Sequence, residues 1–190
     1  DIPTPRWLML NDSGEPVPSG ITAPWVLKPA RQGSSVGLQL VDDADQWDTA
    51  LAAARKHDDR ILCEERIIGR EITVGILANE ALPIVEVSPK AGAYDYKNKY
   101  TVGATEYFCP ADLSTEQTEA IAKLGLKAFD AVGGRDFGRV DMMLDAELSP
   151  HVLEVNTLPG LTETSLLPMA AAEAGLDFNM LCQRMIELAL

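Results

Sequence analysis

The sequence has no apolar run close to the roughly 20 residues that a membrane-spanning helix needs. No signal-peptide pattern stands at its start. Basic residues are also scarce, since 16 Lys and Arg stand against 29 Asp and Glu, a formal net charge of −13. Such a charge disfavours a surface for nucleic acid or anionic membrane. Any phosphate site must therefore be local, made of particular cations and backbone amides.

Cysteine is rare as well. Cys63, Cys109 and Cys182 are an odd number, lie far apart and form no CxxC pair. This pattern predicts a cytoplasmic protein with reduced thiols that serve as packing residues, not as metal ligands. His57 and His151 stand in ordinary local contexts, so a catalytic Cys–His pair is not expected.

Two common nucleotide-binding motifs are missing: the Walker A pattern GxxxxGK[ST] and the dinucleotide fingerprint GxGxxG. There is no internal repeat and no low-complexity tract. What is present is a composition of 46% hydrophobic and 24% charged residues, which is typical of a globular protein. Predicted strands precede and flank the helices without regular alternation, so we expect the α+β class.

Hydrophobic periodicity predicts the elements along the chain. The predicted strands are 25–28, 36–41, 60–68, 71–77, 82–87, 138–144 and 151–156, and the predicted helices are 43–57, 114–132, 165–174 and 178–188. Capping boxes of Asp43 with Gln46 and of Ser114 with Gln117 mark the starts of the first two helices. The helix from Ser114 is predicted to bury Ile121, Leu124, Ala128, Phe129 and Val132.

Two successive strands carry acidic side chains. Alternation places Arg139, Asp141 and Met143 on one face of the first strand. It places Val152, Glu154 and Asn156 on one face of the second strand. If Asp145 pairs with Pro150 at the mouth of the hairpin, Asp141 falls opposite Glu154. Directly opposed side chains then lie about 5 Å apart at Cβ.

Two carboxylates at that distance repel each other unless a cation, a proton or an arginine lies between them. Arg139 is one source of that charge, and Asn156 adds a neutral oxygen on the same face. Three hard oxygens suit Mg²⁺, which takes few protein ligands. The alternative, a solvated hairpin face with one surface salt bridge, stays open.

The segment VLKPARQGSSVGL places Lys28 at the end of a strand, before a loop of small residues. Gly33, Ser34 and Ser35 can present successive N–H groups and hydroxyls to phosphate oxygens. Lys28 beside them favours a phosphate site. A plain flexible turn is the other interpretation.

Further polar positions are less specific. Glu64 and Glu65 close one strand and Glu71 opens the next, where a carboxylate can bind an adenine amino group or ribose hydroxyls, or can simply be a polar strand end. In YDYKNKY, Lys97 and Lys99 can touch phosphate while Tyr100 faces a substrate. By composition that segment is equally a lid or a surface loop.

Taken in order, these segments resemble the D-alanine–D-alanine ligases of the ATP-grasp superfamily. The likeness runs through KPARQGSSVG, EERIIGREITVGIL, YDYKNKY, YFCPA, GRVDMML, LEVNTLPGLTETSLLPMA and the final helix, nearly the whole chain. It implies two α+β lobes whose antiparallel sheets grip ATP, a central lobe over residues 1–70 and a C-terminal lobe over 71–190. It also implies synthesis of D-alanyl-D-alanine for peptidoglycan through an acyl phosphate, with Mg²⁺ or Mn²⁺, in a homodimer.

The resemblance also implies roles for individual residues. The nucleotide-binding set is Lys28, Ser35, Glu64, Ile67, Glu71, Lys99 and Met143. The catalytic set is Ser34, Tyr100, Arg139, Gly160 and Ser165, of which Arg139 and the Gly160 amide would stabilise the oxyanion. The metal ligands would be Asp141, Glu154 and Asn156. Ser165 and Leu166 would bind the carboxylate of the second D-alanine, and Tyr100, where lactate-using relatives tend to carry His, favours an amine there.

One departure is that the family's N-terminal domain, with an acidic residue and another phosphate-binding Lys, does not appear. We therefore expect the chain as given to bind ATP weakly and to ligate D-alanine poorly. Two other interpretations are a ligase for other amino or hydroxy acids and a non-catalytic nucleotide-binding module. The charged residues at the expected site favour an enzyme, because buried charges without ligands destabilise a fold.

Overall fold

The computed structural model describes residues 1–11, 16–90, 105–162 and 165–190. Within this part, the strands are β1 Trp7–Leu10, β2 Trp25–Pro29, β3 Gln39–Val41, β4 Ile61–Glu65, β5 Arg70–Leu77, β6 Glu80–Ala81, β7 Val85–Pro89, β8 Thr105–Phe108, β9 Phe137–Leu144 and β10 Pro150–Asn156. The helices are α1 Trp47–Ala54, α2 Thr115–Ala131, α3 Leu166–Glu173 and α4 Phe178–Ala189, with a short 3₁₀ turn at Ala44–Gln46.

The first sheet has the strand order β1-β4-β2-β3. Alternation along β2 and β4 sends Leu27, Ile61 and Cys63 into a core that α1 covers with Trp47. The rings of Trp25 and Trp47 meet edge to face with centroids 5.4 Å apart. Burial raises the pKa of the Cys63 thiol to about 12. Cys63 is therefore an inert packing residue, and none of the three cysteines forms a disulfide, as predicted.

The second sheet has the order β10-β9-β5-β7-β8, with β6 paired to β5. One of its faces carries the second core, in which apolar side chains of β5 and β9 pack against α2. The buried members on these three elements are Ile72, Val74, Ile76, Val140, Met142, Leu144, Ile121, Ala128 and Phe129.

Helix α3 covers part of the other face of this sheet. A Cβ added at Gly75 would lie 3.1 Å from Leu167 Cδ1 and 3.4 Å from Ala170 Cβ, so the missing side chain permits a close approach. Gly75 is paired with Arg139 across β5 and β9. The first turn of α3 therefore lies on the same face as Arg139.

The capping box and the glycine stop in the sequence predict the two ends of α2 correctly. Ser114 Oγ accepts from Gln117 N at 3.2 Å and Gln117 Oε1 accepts from Ser114 N at 2.9 Å, the predicted capping box. After Ala131, Gly134 N donates to Phe129 O at 2.9 Å and ends the helix. The predicted burial of Val132 is wrong, since it is 59% exposed beyond the last turn.

The predicted register of the acidic hairpin is wrong at its mouth, where Pro150 lies opposite Leu144 instead of Asp145. A β-bulge between Val152 and Glu154 then adds one residue to β10, and Glu154 pairs with Asp141 as predicted. The bulge also corrects the face assignment. Val152 pairs with Met142 on the core side, not on the side of Glu154.

Other predicted elements are also shorter than expected, among them the strand over 60–68, which spans Ile61–Glu65. The strand predicted from residue 36 begins only at Gln39. Ser34 and Ser35 adopt left-handed backbone angles, and residues 34–37 therefore form turns instead of strand. The first helix begins as a 3₁₀ turn: Asp43 caps Asp45 N, while the Gln46 side chain accepts from Asp42 N.

The described residues form two compact units, one built on Pro5–Ile67 and the other on Ile68–Lys90 and Glu106–Leu190 with Asp1–Thr4. The division into lobes at residue 70 stays a prediction. None of the helices in the described ranges is both long and apolar enough to cross a membrane.

Candidate active site

The paired acidic strands place a nearly buried carboxylate at the centre of the second sheet. Asp141 is 8% exposed and lies between β5 and β10 in the ladder. Arg139 donates two hydrogen bonds to it, from Nε to Oδ1 at 2.7 Å and from Nη2 to Oδ2 at 2.8 Å. Thr73 Oγ1 donates to Oδ1 at 2.5 Å. A bidentate guanidinium and a hydroxyl thus compensate the buried charge.

The second carboxylate converges on the same point. Asn156 Nδ2 donates to Asp141 Oδ2 at 3.1 Å and to Glu154 Oε1 at 3.2 Å. One positively polarised NH₂ group therefore lies between two carboxylates, the position that a cation prefers. A half-turn of the amide exchanges its nitrogen for its oxygen, and then all three groups offer hard oxygens.

These residues fit a magnesium ion, which needs only one or two protein carboxylates and keeps its other positions for water and phosphate. In the part of the chain that the structure describes, no group of three or more His, Cys, Asp and Glu gathers into a metal-binding cluster. The candidate set has two carboxylates and one amide, which matches the sparse ligation of Mg²⁺ better than a cage for a tightly held ion.

Sequence reasoning missed Thr73. It lies directly opposite Asp141 on β5 and is 2% exposed. Alternation along β5 puts Thr73 on the same face as Glu71, but nothing local tells which residue of β9 it faces. Only the strand register reveals that contact.

The first sheet carries a second charged pair on its non-core face. Glu64 is 4% exposed and forms an ion pair with Lys28, which lies diagonally across from it on β2. Such a buried carboxylate needs a partner to offset its lost hydration. Lys28 and Glu64, predicted separately as phosphate and adenine or ribose contacts, are therefore neighbours.

The glycine–serine loop has an unusual backbone. Ser34 and Ser35 have φ values of +53° and +58°, a region that non-glycine residues rarely adopt and that is enriched at functional sites. Val36 N donates to Gly33 O at 3.1 Å and Leu38 N to Ser35 O at 3.2 Å. Two successive tight turns therefore hold the loop, with Ser34 exposed at its tip.

Both ends of this loop rest on the turn at residues 57–59. Asp58 accepts from Arg31 N at 2.7 Å and from Arg31 Nε at 3.1 Å, and the Arg31 guanidinium holds its pKa well below the usual range. Gln32 Nε2 donates to His57 O at 3.1 Å. At the far end, Gly37 has φ +76°, and a Cβ there would lie 2.6 Å from the His57 ring.

The side chain of the N-cap residue does not cap the start of α3. Ser165 is the N-cap residue, but its Oγ accepts from Thr162 N at 2.9 Å and lies 2.8 Å from Thr162 Oγ1. Gly160 lies beside it, since a Cβ there would be 2.9 Å from Ser165 Oγ. The N–H groups of the first turn therefore receive no bond from Ser165, and helix N-termini favour anions.

The comparisons with known proteins agree on one family. The family model described as "D-ala D-ala ligase C-terminus" matches residues 3–187. The chain belongs to the D-alanine–D-alanine ligase family. It is 47% identical over 188 residues to a D-alanine–D-alanine ligase of Methylacidiphilum infernorum, covering 99% of this chain and 61% of that protein. It is 43% identical to the D-alanine–D-alanine ligase of Aromatoleum aromaticum, covering 98% of this chain and 61% of that protein.

Solved ligases share the fold. A D-alanine–D-alanine ligase from Bacillus anthracis superposes with a TM-score of 0.84 at 35% identity, over 99% of this chain and 62% of that one. The VanG D-Ala:D-Ser ligase from Enterococcus faecalis superposes with a TM-score of 0.82 at 27% identity, over 100% of this chain and 57% of that one. The α+β, ATP-grasp class predicted from the sequence is confirmed. The chain spans about three fifths of the length of these ligases.

The remaining residues predicted from the ligase family are distributed as follows. Glu71 and Met143 are Cα partners on β5 and β9, so they lie on the face that carries Asp141. Ile67 is half-buried in the segment before β5, and Leu166 is buried at the start of α3. Lys99 and Tyr100 lie outside the described residues.

Proposed function

We propose that the whole protein containing this chain joins two D-alanine molecules with ATP to form D-alanyl-D-alanine, a peptidoglycan precursor. The observation that carries the proposal is the convergence of Asp141, Glu154 and Asn156 beside Arg139, in a chain of the D-alanine–D-alanine ligase family. A ligase structure from Bacillus anthracis was obtained in complex with ATP, with 31% identity and a TM-score of 0.82. These findings support ATP as the energy source.

The reaction we propose has two steps with balanced leaving groups. A carboxylate oxygen of the first D-alanine attacks the γ-phosphorus of ATP, ADP leaves, and an acyl phosphate forms. The amine of the second D-alanine then attacks the acyl carbon, loses a proton and expels inorganic phosphate. Neither step needs a protein nucleophile, because both depend on positioning and charge neutralisation.

The residues of the second sheet suit these demands. Asp141, Glu154 and Asn156 would hold Mg²⁺ or Mn²⁺, which supplies charge neutralisation at the phosphates when bound. Arg139 and the Gly160 amide would stabilise the oxyanion at the acyl carbon. The uncapped start of α3, at Ser165 and Leu166, would bind the carboxylate of the second D-alanine.

The residues of the first sheet suit the nucleotide. Lys28 and the loop at Ser34 and Ser35 would contact the phosphates. Glu64 would contact adenine and ribose, and so would Ile67 in the segment before β5 and Glu71 and Met143 on the second sheet. Lys99 and Tyr100 would approach the reacting groups. We further propose a cytoplasmic homodimer.

Isotope transfer tests the proposal on the whole protein. With D-alanine labelled by ¹⁸O in its carboxylate, we expect one ¹⁸O per dipeptide in the released phosphate, together with equimolar ADP. L-alanine should support neither product. Release of AMP and pyrophosphate, or phosphate without label, would rule out the acyl phosphate. D-serine and D-lactate offered as second substrates report the acceptor class, and their use in preference to D-alanine would overturn the substrate assignment.

A further inference from the structure

We propose that Thr73 is a positioning residue of the metal site, whose hydroxyl determines which oxygen of Asp141 is presented to the cation. The inference rests on the proposed function, since it assumes that Asp141 is a metal ligand. It concerns a residue of β5, the strand between β7 and β9 in the second sheet.

The contact is short and lies in a buried part of the sheet. Thr73 is 2% exposed and is paired with Val85 on one side and Asp141 on the other. Its Oγ1 lies 2.5 Å from Asp141 Oδ1 and 3.2 Å from Val140 O. A hydroxyl has one proton, and the shorter contact to a charged acceptor is the stronger of the two.

The donors around Asp141 divide between its two oxygens. Oδ1 receives Thr73 Oγ1 and Arg139 Nε, while Oδ2 receives Arg139 Nη2 and Asn156 Nδ2. Asn156 Nδ2 also bonds Glu154, so Oδ2 is the oxygen turned toward the other candidate ligands. Thr73 therefore holds Oδ1 against the sheet, so that Oδ2 faces Asn156 and Glu154, where the ion would bind.

Arg139 alone does not determine which oxygen of Asp141 faces the ion. Its guanidinium bonds both oxygens of Asp141 and so does not distinguish them. Of the two oxygens of Asp141, Thr73 bonds only Oδ1. Partners that orient a metal ligand in this way typically change metal affinity about 10- to 100-fold when they are removed.

A plain structural role is the competing interpretation, in which Thr73 merely satisfies its own buried hydroxyl. Thr73→Val removes the hydroxyl and keeps the shape, whereas Thr73→Ser keeps the hydroxyl and removes the methyl group. A structural role would change folding stability in either variant and leave metal affinity alone. A positioning role would weaken metal binding in Thr73→Val and not in Thr73→Ser.

The experiment measures Mn²⁺ binding to the whole protein by electron paramagnetic resonance, with ADP present and without turnover. We expect Thr73→Val to weaken Mn²⁺ binding about 10-fold or more, and Thr73→Ser to stay close to wild type. ADP affinity without divalent ions should be the same in all three proteins. If Thr73→Val does not fold, Thr73→Cys replaces it, because a thiol is only a weak donor and should weaken Mn²⁺ binding too.

Equal Mn²⁺ affinity in wild type and Thr73→Val would overturn the inference and leave the proposed function intact. An equal loss in Thr73→Ser and Thr73→Val would overturn it as well, since the methyl group would then be responsible. Failure of the wild-type protein to bind Mn²⁺ with ADP would overturn the metal assignment of the proposed function, and the inference with it.

Discussion

At the scale of single residues, the two candidate carboxylate ligands are held very differently. Asp141 is nearly buried and is surrounded by donors from Arg139, Thr73 and Asn156. Glu154 lies exposed on the edge strand β10 and is bonded by Asn156. Its conformation therefore depends on the ion more than that of Asp141 does. Glu154 is accordingly the better position at which to test the metal site without disturbing the fold.

Glu154→Gln removes the charge and keeps the shape. A direct ligand should matter at least as much as a partner in the outer shell, so we expect the Mg²⁺ concentration for half-maximal ADP binding to rise about 10-fold or more. Calorimetric titration of ADP at several Mg²⁺ concentrations measures it. Glu147→Gln is the matched control, since Glu147 is exposed on the same hairpin. An equal response of both variants would contradict the assignment of Glu154.

At the scale of elements, the glycine–serine loop depends on a neighbour that is distant in sequence. Arg31 and Gln32 bond the turn at residues 57–59, and Gly37 packs against the ring of His57. Asp58 is the centre of this arrangement, because it accepts from the backbone of both Arg31 and Arg60. The loop that we propose to contact phosphate is thus anchored at both ends.

The anchor predicts a pH dependence. The pKa of Asp58 is lowered in the fold from its ordinary value of 3.8, chiefly by Arg31. The stability that this ionised carboxylate contributes is therefore present above its unfolded pKa and is lost as the pH falls toward the folded value. Asp58→Asn lacks this contribution, so its urea midpoint should lie below that of wild type at pH 7, and the gap should narrow at pH 3.

Urea titrations at both pH values measure the gap directly. Asp48→Asn is a suitable control, because Asp48 is an exposed carboxylate on α1 in the same unit. For that variant we expect a gap at pH 7 smaller than that of Asp58→Asn. A gap for Asp58→Asn that stays constant from pH 7 to pH 3 would show that its ionisation does not stabilise the fold.

At the scale of elements, some features could be predicted from the sequence and others could not. Helix α2 was predictable because its capping box and its glycine stop are signals within a few residues of each other. Asp141 lies opposite Glu154 as predicted, although the predicted pairing at the mouth of the hairpin is wrong and the bulge restores the register. The bulge beside Leu153 was not predictable, because an extra residue is defined only against the partner strand.

Contacts between distant strands were beyond sequence reasoning for the same physical reason. The pairing of β5 with β9 joins residues that are 68 positions apart at Thr73 and Asp141. Nothing near either residue encodes that register, since it follows from how the whole sheet buries its apolar face. The ion pair of Lys28 with Glu64 is of the same kind. The residues of the site were thus predictable individually, and several of their partners were not.

At the scale of the whole molecule, the two hydrophobic clusters share no residue among those that the structure describes. One lies beneath the first sheet with α1, and the other lies between the second sheet and α2. Each compact unit therefore has apolar burial of its own, which is the usual requirement for a cooperative folding unit. This arrangement predicts that damage to one core stays within its unit.

Two matched cavity variants test this. Leu27 and Ile72 are both fully buried, one in each cluster, so each change to Ala should destabilise its unit by about 2–5 kcal/mol. In native-state hydrogen exchange, we expect Leu27→Ala to speed the amides of β2 and β4, and Ile72→Ala those of β5 and β9. Because local openings report the stability of the unit that contains them, equal acceleration of both sheets by either variant would mean that the chain unfolds as one unit.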